Sequence, residues 1–171
     1  MTKLEYILTN TYKVGMVSYL NEHPEDFEEV IELAIADRQP YSWRAASLVK
    51  NCMEQNDERL RGYLDRIIDL IPTKREGHAR ELLVIVQQMD LNEDQEGKVF
   101  DLCVNLWEKT GNQPSVRHNA FRQMCAIAKK HPDLIHEIEL LTDSMYMESL
   151  SPGVKRAIQK MMNGLKKEWE K

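Results

Sequence analysis

Six prolines punctuate this chain, at positions 24, 40, 72, 114, 132 and 152. Each precedes or opens a run whose apolar residues recur at helical spacing. Proline has no amide hydrogen and a fixed φ, so a helix accepts it in the first turn and is broken by it further in. The six positions therefore read as helix starts. Only 7 Gly among 171 residues leave little material for the many tight turns of an all-β fold. A composition 42% hydrophobic and 30% charged is that of a globular chain rather than a disordered one. Its length suits one domain with a buried core.

The spacing predicts about nine helices, over 3–21, 24–36, 40–54, 57–71, 74–89, 93–109, 114–130, 132–142 and 152–169. In the fifth, the run 82–86 is apolar on every face, which places that helix at the centre of a stack. Short connections make neighbouring helices antiparallel. The longest linker is 143–151, and nothing in it suggests a domain boundary. The expectation is a single domain over 1–171: an extra N-terminal helix, then hairpins 24–54, 57–89, 93–130 and 132–169.

Two segments echo one another. His23-Pro24 and His131-Pro132 each head a helix, and they stand 108 residues apart, three times 36. A helix pair recurring at that period is the mark of an α-solenoid. Pro114-Ser115-Val116-Arg117 and Pro152-Gly153-Val154-Lys155 correspond at an offset of 38. This pattern resembles the HEAT repeat family, whose inner helix opens with Pro-x-Val-Arg and a small residue one turn on. Pro114 to Arg117 with Ala120 matches well. Pro152 to Lys155 matches with Lys for Arg, and Pro40 to Ala46 matches loosely with Arg44 offset. The segment 74–82 departs most, because Gly77-His78 stands where Val-Arg is expected. The resemblance covers nearly the whole chain and implies an all-α, right-handed α-solenoid of antiparallel hairpins. It is almost silent on activity.

The repeat assigns each helix to a layer, and charge then separates. The net charge is −5, which taken alone argues against anionic partners. The four outer segments (24–37, 57–71, 92–109 and 132–148) carry a net −15, and the remainder carries +10. Inner helices build the concave face of a solenoid, so that face is expected to be basic, most strongly toward the C-terminus. Residues 110–131 hold Arg117, Arg122, Lys129 and Lys130 with no acid, and residues 149–171 hold six cations, Lys171 among them. Such a face attracts anions over a Debye length of about 8 Å. The competing expectation is that inner cations pair with acids of the outer layer.

Catalytic signals are poor. Cys52, Cys103 and Cys125 form no C-x-x-C and sit in apolar helical patterns, as buried thiols do. The five histidines include no i, i+4 pair and no H-E-x-x-H. There is no Gly-rich phosphate loop and no G-x-S-x-G. No cofactor or metal is implied. Trp43, Trp107 and Trp169 are candidates for stacking on a ligand, with core packing as the alternative. Met145-Tyr146-Met147, in the longest linker, is a candidate for an adaptable apolar contact with a partner, with a cover over the last hairpin as the alternative. The N-terminus lacks the apolar run of a signal peptide and no stretch approaches a membrane span, so a cytoplasmic protein is expected.

The function expected from these features is a non-catalytic interaction scaffold. Its basic concave face, comprising Arg117, His118, Arg122, Lys155, Arg156 and Lys160, would bind an acidic segment of another protein. The alternative is nucleic-acid binding, or repair of alkylated DNA by a HEAT-like glycosylase, for which Trp43, Arg44, Arg117 and Arg122 are the available counterparts.

Overall fold

A computed structural model describes residues 1–170; Lys171, counted above among the cations, lies outside them. The described residues form eleven α-helices and no strand. They are α1 (Lys3–Asn10), α2 (Lys13–Glu22), α3 (Phe27–Ile35), α4 (Tyr41–Cys52), α5 (Leu64–Leu70), α6 (Glu76–Gln87), α7 (Glu93–Glu108), α8 (Pro114–Ala128), α9 (Leu134–Leu140), α10 (Ser144–Met147) and α11 (Pro152–Trp169).

The prolines do what their chemistry demands. Pro114 and Pro152 occupy the first turns of α8 and α11. Pro24 opens a 3₁₀ turn that runs into α3, and Pro40 is the residue before α4. Pro72 and Pro132 lie in the turns ahead of α6 and α9. Side-chain caps supply other starts. Thr2 and Glu5 form a reciprocal capping box on α1, and Asn92 and Gln95 form one on α7.

The helix expected over 3–21 is in fact two. Thr11 and Tyr12 are extended, with ψ of 142° and 162°. Side-chain bonds accompany the break: Thr9 Oγ1 donates to Glu5 O at 2.9 Å and Asn10 Nδ2 donates to Tyr6 O at 3.0 Å, in the last turns of α1, an arrangement that weakens a helix. The second outer helix is also modified: residues Glu58–Tyr63 form a 3₁₀ stretch before α5. Asp57 caps it, accepting from the Arg59 amide at 3.0 Å. The linker 143–151 holds the single turn α10.

Packing divides the chain into two compact units, residues 1–90 and residues 91 onward. In the first, α3 packs on α4 and α5 on α6, while α4 and α6 pack on each other. The extra helices α1 and α2 rest on α4. In the second, α7 packs on α8, α9 on α8 and α11, and α8 on α11. Each unit therefore has two inner helices side by side with outer helices covering them. Leu82, Leu83, Ile85 and Val86 of α6 are buried, which puts α6 at the heart of the first core. In the second unit, Val99, Trp107, Phe121, Met124, Ile138, Ile158 and Met162 are all buried.

Candidate partner-binding face

Arg117 was expected on the binding face, and the structure places it elsewhere. Its side chain is wholly buried. The guanidinium lies 4.3 Å from the centre of the Trp107 ring, and its Nε donates to Trp107 O at 2.9 Å. Its other nitrogens donate to Tyr146 O and, at 3.4 Å, to Ser149 Oγ. Burial pulls its pKa down from the usual guanidinium value. Each of its three nitrogens donates to the chain itself, and its burial leaves no face for a partner. Arg117 is a bracket that ties the end of α7 to the linker after α9. Trp107 completes the bracket: its indole Nε1 donates to Leu141 O at 2.8 Å and its ring sits 4.8 Å from that of Phe121.

The weaker repeat matches perform comparable work. Arg44 donates to Leu8 O at 3.0 Å, at the end of α1. His78 stands where the repeat pattern calls for Arg; its Nε2 lies 2.6 Å from Ala34 O, near the end of α3, and its Nδ1 lies 3.1 Å from Gln39 Nε2. The carbonyl can only accept, so Nε2 carries the proton and Nδ1 accepts from Gln39. Desolvation holds His78 below its ordinary pKa, which suits this neutral form. A helix-start donor serving the end of an outer or preceding helix is thus kept in type-changed form.

The cations then fall into two groups. In the N-terminal unit most are engaged. Lys50 and Arg80 both pair with buried Glu81, Arg38 with buried Glu5, and Arg66 with Glu32 at 3.2 Å. Arg59 grips Asp57 through two bonds, at 3.0 and 2.8 Å, which hold the Asp57 pKa down to about 2. Lys74 donates to Ala36 O at 3.0 Å.

In the C-terminal unit the outer acids hold Lys130, through Glu96 at 3.0 Å, and Lys166, through Glu139. His131 lies 2.6 Å from the other Glu96 oxygen, and these partners lower the Glu96 pKa against the effect of burial. No ion pair among the described residues engages Arg122, Lys129, Lys155, Arg156, Lys160 or Lys167. All of these except the half-buried Lys155 are exposed. Arg122, Lys129 and Lys160 line a groove of about 410 Å³ between α8 and α11. Its remaining walls include Cys125, Ala126, Met161 and Leu165, with Glu168 at one end. Arg156 and Lys167 continue the charged stripe along α11. Gly164 belongs to both surfaces, and a Cβ there would meet nothing within 4 Å. Lys129 and Lys167 complete this stripe, though neither was among the binding residues expected from the sequence.

His118 is half-buried and accepts from Arg122 at 3.4 Å; burial, with help from that charge, lowers its pKa. Of the linker residues, Met145 is 65% exposed, whereas Tyr146 and Met147 are half-buried and the Tyr146 carbonyl is held by Arg117. Trp43 and Arg44 line a cleft in the N-terminal unit. Cys103 and Cys125 are buried, and burial pushes the Cys125 thiol up to about 12. Among the described residues, no group of His, Cys, Asp and Glu could hold a metal ion, and no helix is long and apolar enough to cross a membrane.

Stacked inner helices, outer helices covering them and helix-start donors bracketing neighbouring chain define a repeat protein of hairpin type. The sequence matches the HEAT repeat domain family over residues 2–165, and the chain belongs to that family. No curated protein and no solved structure matches it. HEAT repeat domains serve generally as scaffolds for interactions between proteins.

Proposed function

We propose that this protein is a non-catalytic scaffold whose α8–α11 face binds an acidic segment of a partner protein. The observation that carries the reading is the contrast between cations. Those of the N-terminal unit are largely spent on internal acids and carbonyls, while Arg122, Lys129, Arg156, Lys160 and Lys167 are exposed without an ionic partner among the described residues. Exposed charges of one sign raise the local concentration of the other. The groove also has an apolar floor from Ala126, Met161 and Leu165, which suits a peptide with acidic and apolar side chains in alternation. No aromatic side chain lines it for base stacking, and the outer layer's −15 opposes the approach of a long polyanion. These points favour an acidic peptide over nucleic acid. Arg117 is withdrawn from both readings by its burial.

Fluorescence anisotropy tests the proposal with a labelled peptide of alternating Glu and Leu, and with duplex and single-stranded DNA, at low and moderate salt. The peptide should bind, and the double charge reversal R156E/K160E should weaken it at least about tenfold. Tighter binding of DNA, lost in the same variant, would transfer the face to nucleic acid. Peptide binding unaffected by the reversal would remove the face from the function.

A further inference from the structure

The break between α1 and α2 leaves a cleft against α4 that the basic face does not involve. It measures about 510 Å³, and its lining includes Tyr12, Lys13, Trp43 and Arg44. Two of these are cations and none is an acid. Trp43 is 38% exposed although it is large and apolar, and its Nε1 lies over Gly77, 3.6 Å from where a Cβ would stand. One part of the indole is thus seated on α6 while another faces solvent. Tyr12, beside it in the lining, is 91% exposed.

Arg44 supplies the second half of the site. Its guanidinium carbon lies 5.8 Å from the centre of the Trp43 ring, and one terminal nitrogen is fixed by Leu8 O. Its Nε is buried and has no acceptor. That nitrogen is closed to solvent, but Arg44 as a whole is half-buried and lines the cleft, so the rest of its guanidinium is what an anion there would meet. Lys13 adds an exposed cation, and it begins α2, whose N-terminus no side chain caps. The amide end of a helix favours negative charge.

We propose that this cleft binds a small planar aromatic ring carrying an anionic group. The ring lies against Trp43 and Tyr12, and the anion meets Arg44, Lys13 and the start of α2. A carboxylate and a phosphate satisfy the same donors, and the experiment separates them. The site lies in the N-terminal unit, so it stands or falls independently of the α8–α11 face.

The three tryptophans give three indole N–H signals in a ¹H–¹⁵N spectrum, and Trp43→Phe assigns the one that matters. The full chain is titrated with indole-3-acetate and with phenyl phosphate, then with indole and with inorganic phosphate as the separate halves. The Trp43 signal should shift saturably with at least one ring-bearing anion, about tenfold more tightly than with either half. Phenylacetate, titrated beside phenyl phosphate, keeps the ring constant, and whichever of that pair binds more tightly names the anion. Arg44→Gln and Lys13→Gln should each weaken binding several-fold. Arg44 also holds Leu8 O, so circular dichroism checks that variant, and exposed Lys13 decides the matter if it unfolds. No shift with either ring-bearing anion at millimolar concentration would overturn the proposal. So would the tighter of the two ring-bearing anions binding no better than its own separate half, indole for indole-3-acetate or inorganic phosphate for phenyl phosphate.

Discussion

Arg117 shows how one residue can be read correctly as a motif and wrongly as a site. Pro114-x-Val116-Arg117 announces the repeat, but the sequence does not say that the arginine turns inward to Trp107 O and Tyr146 O. A cation on a helix start looks the same whether solvent or carbonyls surround it, and long-range packing alone decides. Removing a buried guanidinium that serves three acceptors leaves main-chain oxygens unpaired in a dry site. Arg117→Ala is expected to lose about 3 kcal/mol of stability in chemical denaturation. Its peptide affinity, measured well below the unfolding transition, should not change. His78 gives a second residue-scale test. Its pKa is lowered in the fold, so the unfolded chain binds the proton more readily. The stability it contributes is whole above an unfolded value of about 6.5 and drains as pH falls below that. His78→Gln should flatten the fall in stability as pH drops below about 6.5. A variant with unchanged pH dependence would assign that slope to other groups.

At the scale of elements, most of the plan was legible. Proline positions and apolar spacing gave the starts of α3, α4, α6, α7, α8, α9 and α11 to within a few residues. Two features were hidden for local reasons. The break at Thr11–Tyr12 goes with extended backbone and with side-chain bonds to the carbonyls of Glu5 and Tyr6, which leave no trace in apolar spacing. The 3₁₀ stretch after Asp57 depends on a cap. Asp57 is held at a pKa of about 2 in the fold, first by its bonds to Arg59. Its contribution is whole above about pH 4 and is lost as pH falls toward 2. Asp57→Asn is expected to destabilise the chain by about 1–2 kcal/mol at neutral pH, measured by urea unfolding. Gly164 offers the opposite sign. It sits inside α11, a Cβ there has open space, and glycine in a helix interior costs about 1 kcal/mol relative to alanine. Gly164→Ala should raise stability by about 0.5–1 kcal/mol, whereas Gly164→Gln should also crowd the α8–α11 groove and weaken peptide binding.

For the whole chain, net charge is a poor guide. The −5 total separates into −15 on the outer segments and +10 elsewhere. The structure refines that second figure: the pairs of Arg38 with Glu5 and of Lys50 and Arg80 with Glu81 lie within it and leave it unchanged, while the outer acids Glu96 and Glu139 take up Lys130 and Lys166. Spacing assigns residues to layers, but it cannot say which cation reaches which acid across two helices. Arg122, Lys129, Arg156, Lys160 and Lys167 are the exposed cations of the α8–α11 face that remain after those pairings. The direct test of the account is a map of backbone amide shifts as the alternating Glu-Leu peptide is added at moderate salt. Saturable shifts should concentrate at 122–129, at the end of α8, and at 156–167 on α11, and should be abolished in R156E/K160E. Shifts centred on the N-terminal unit, or none on α8 and α11, would contradict it.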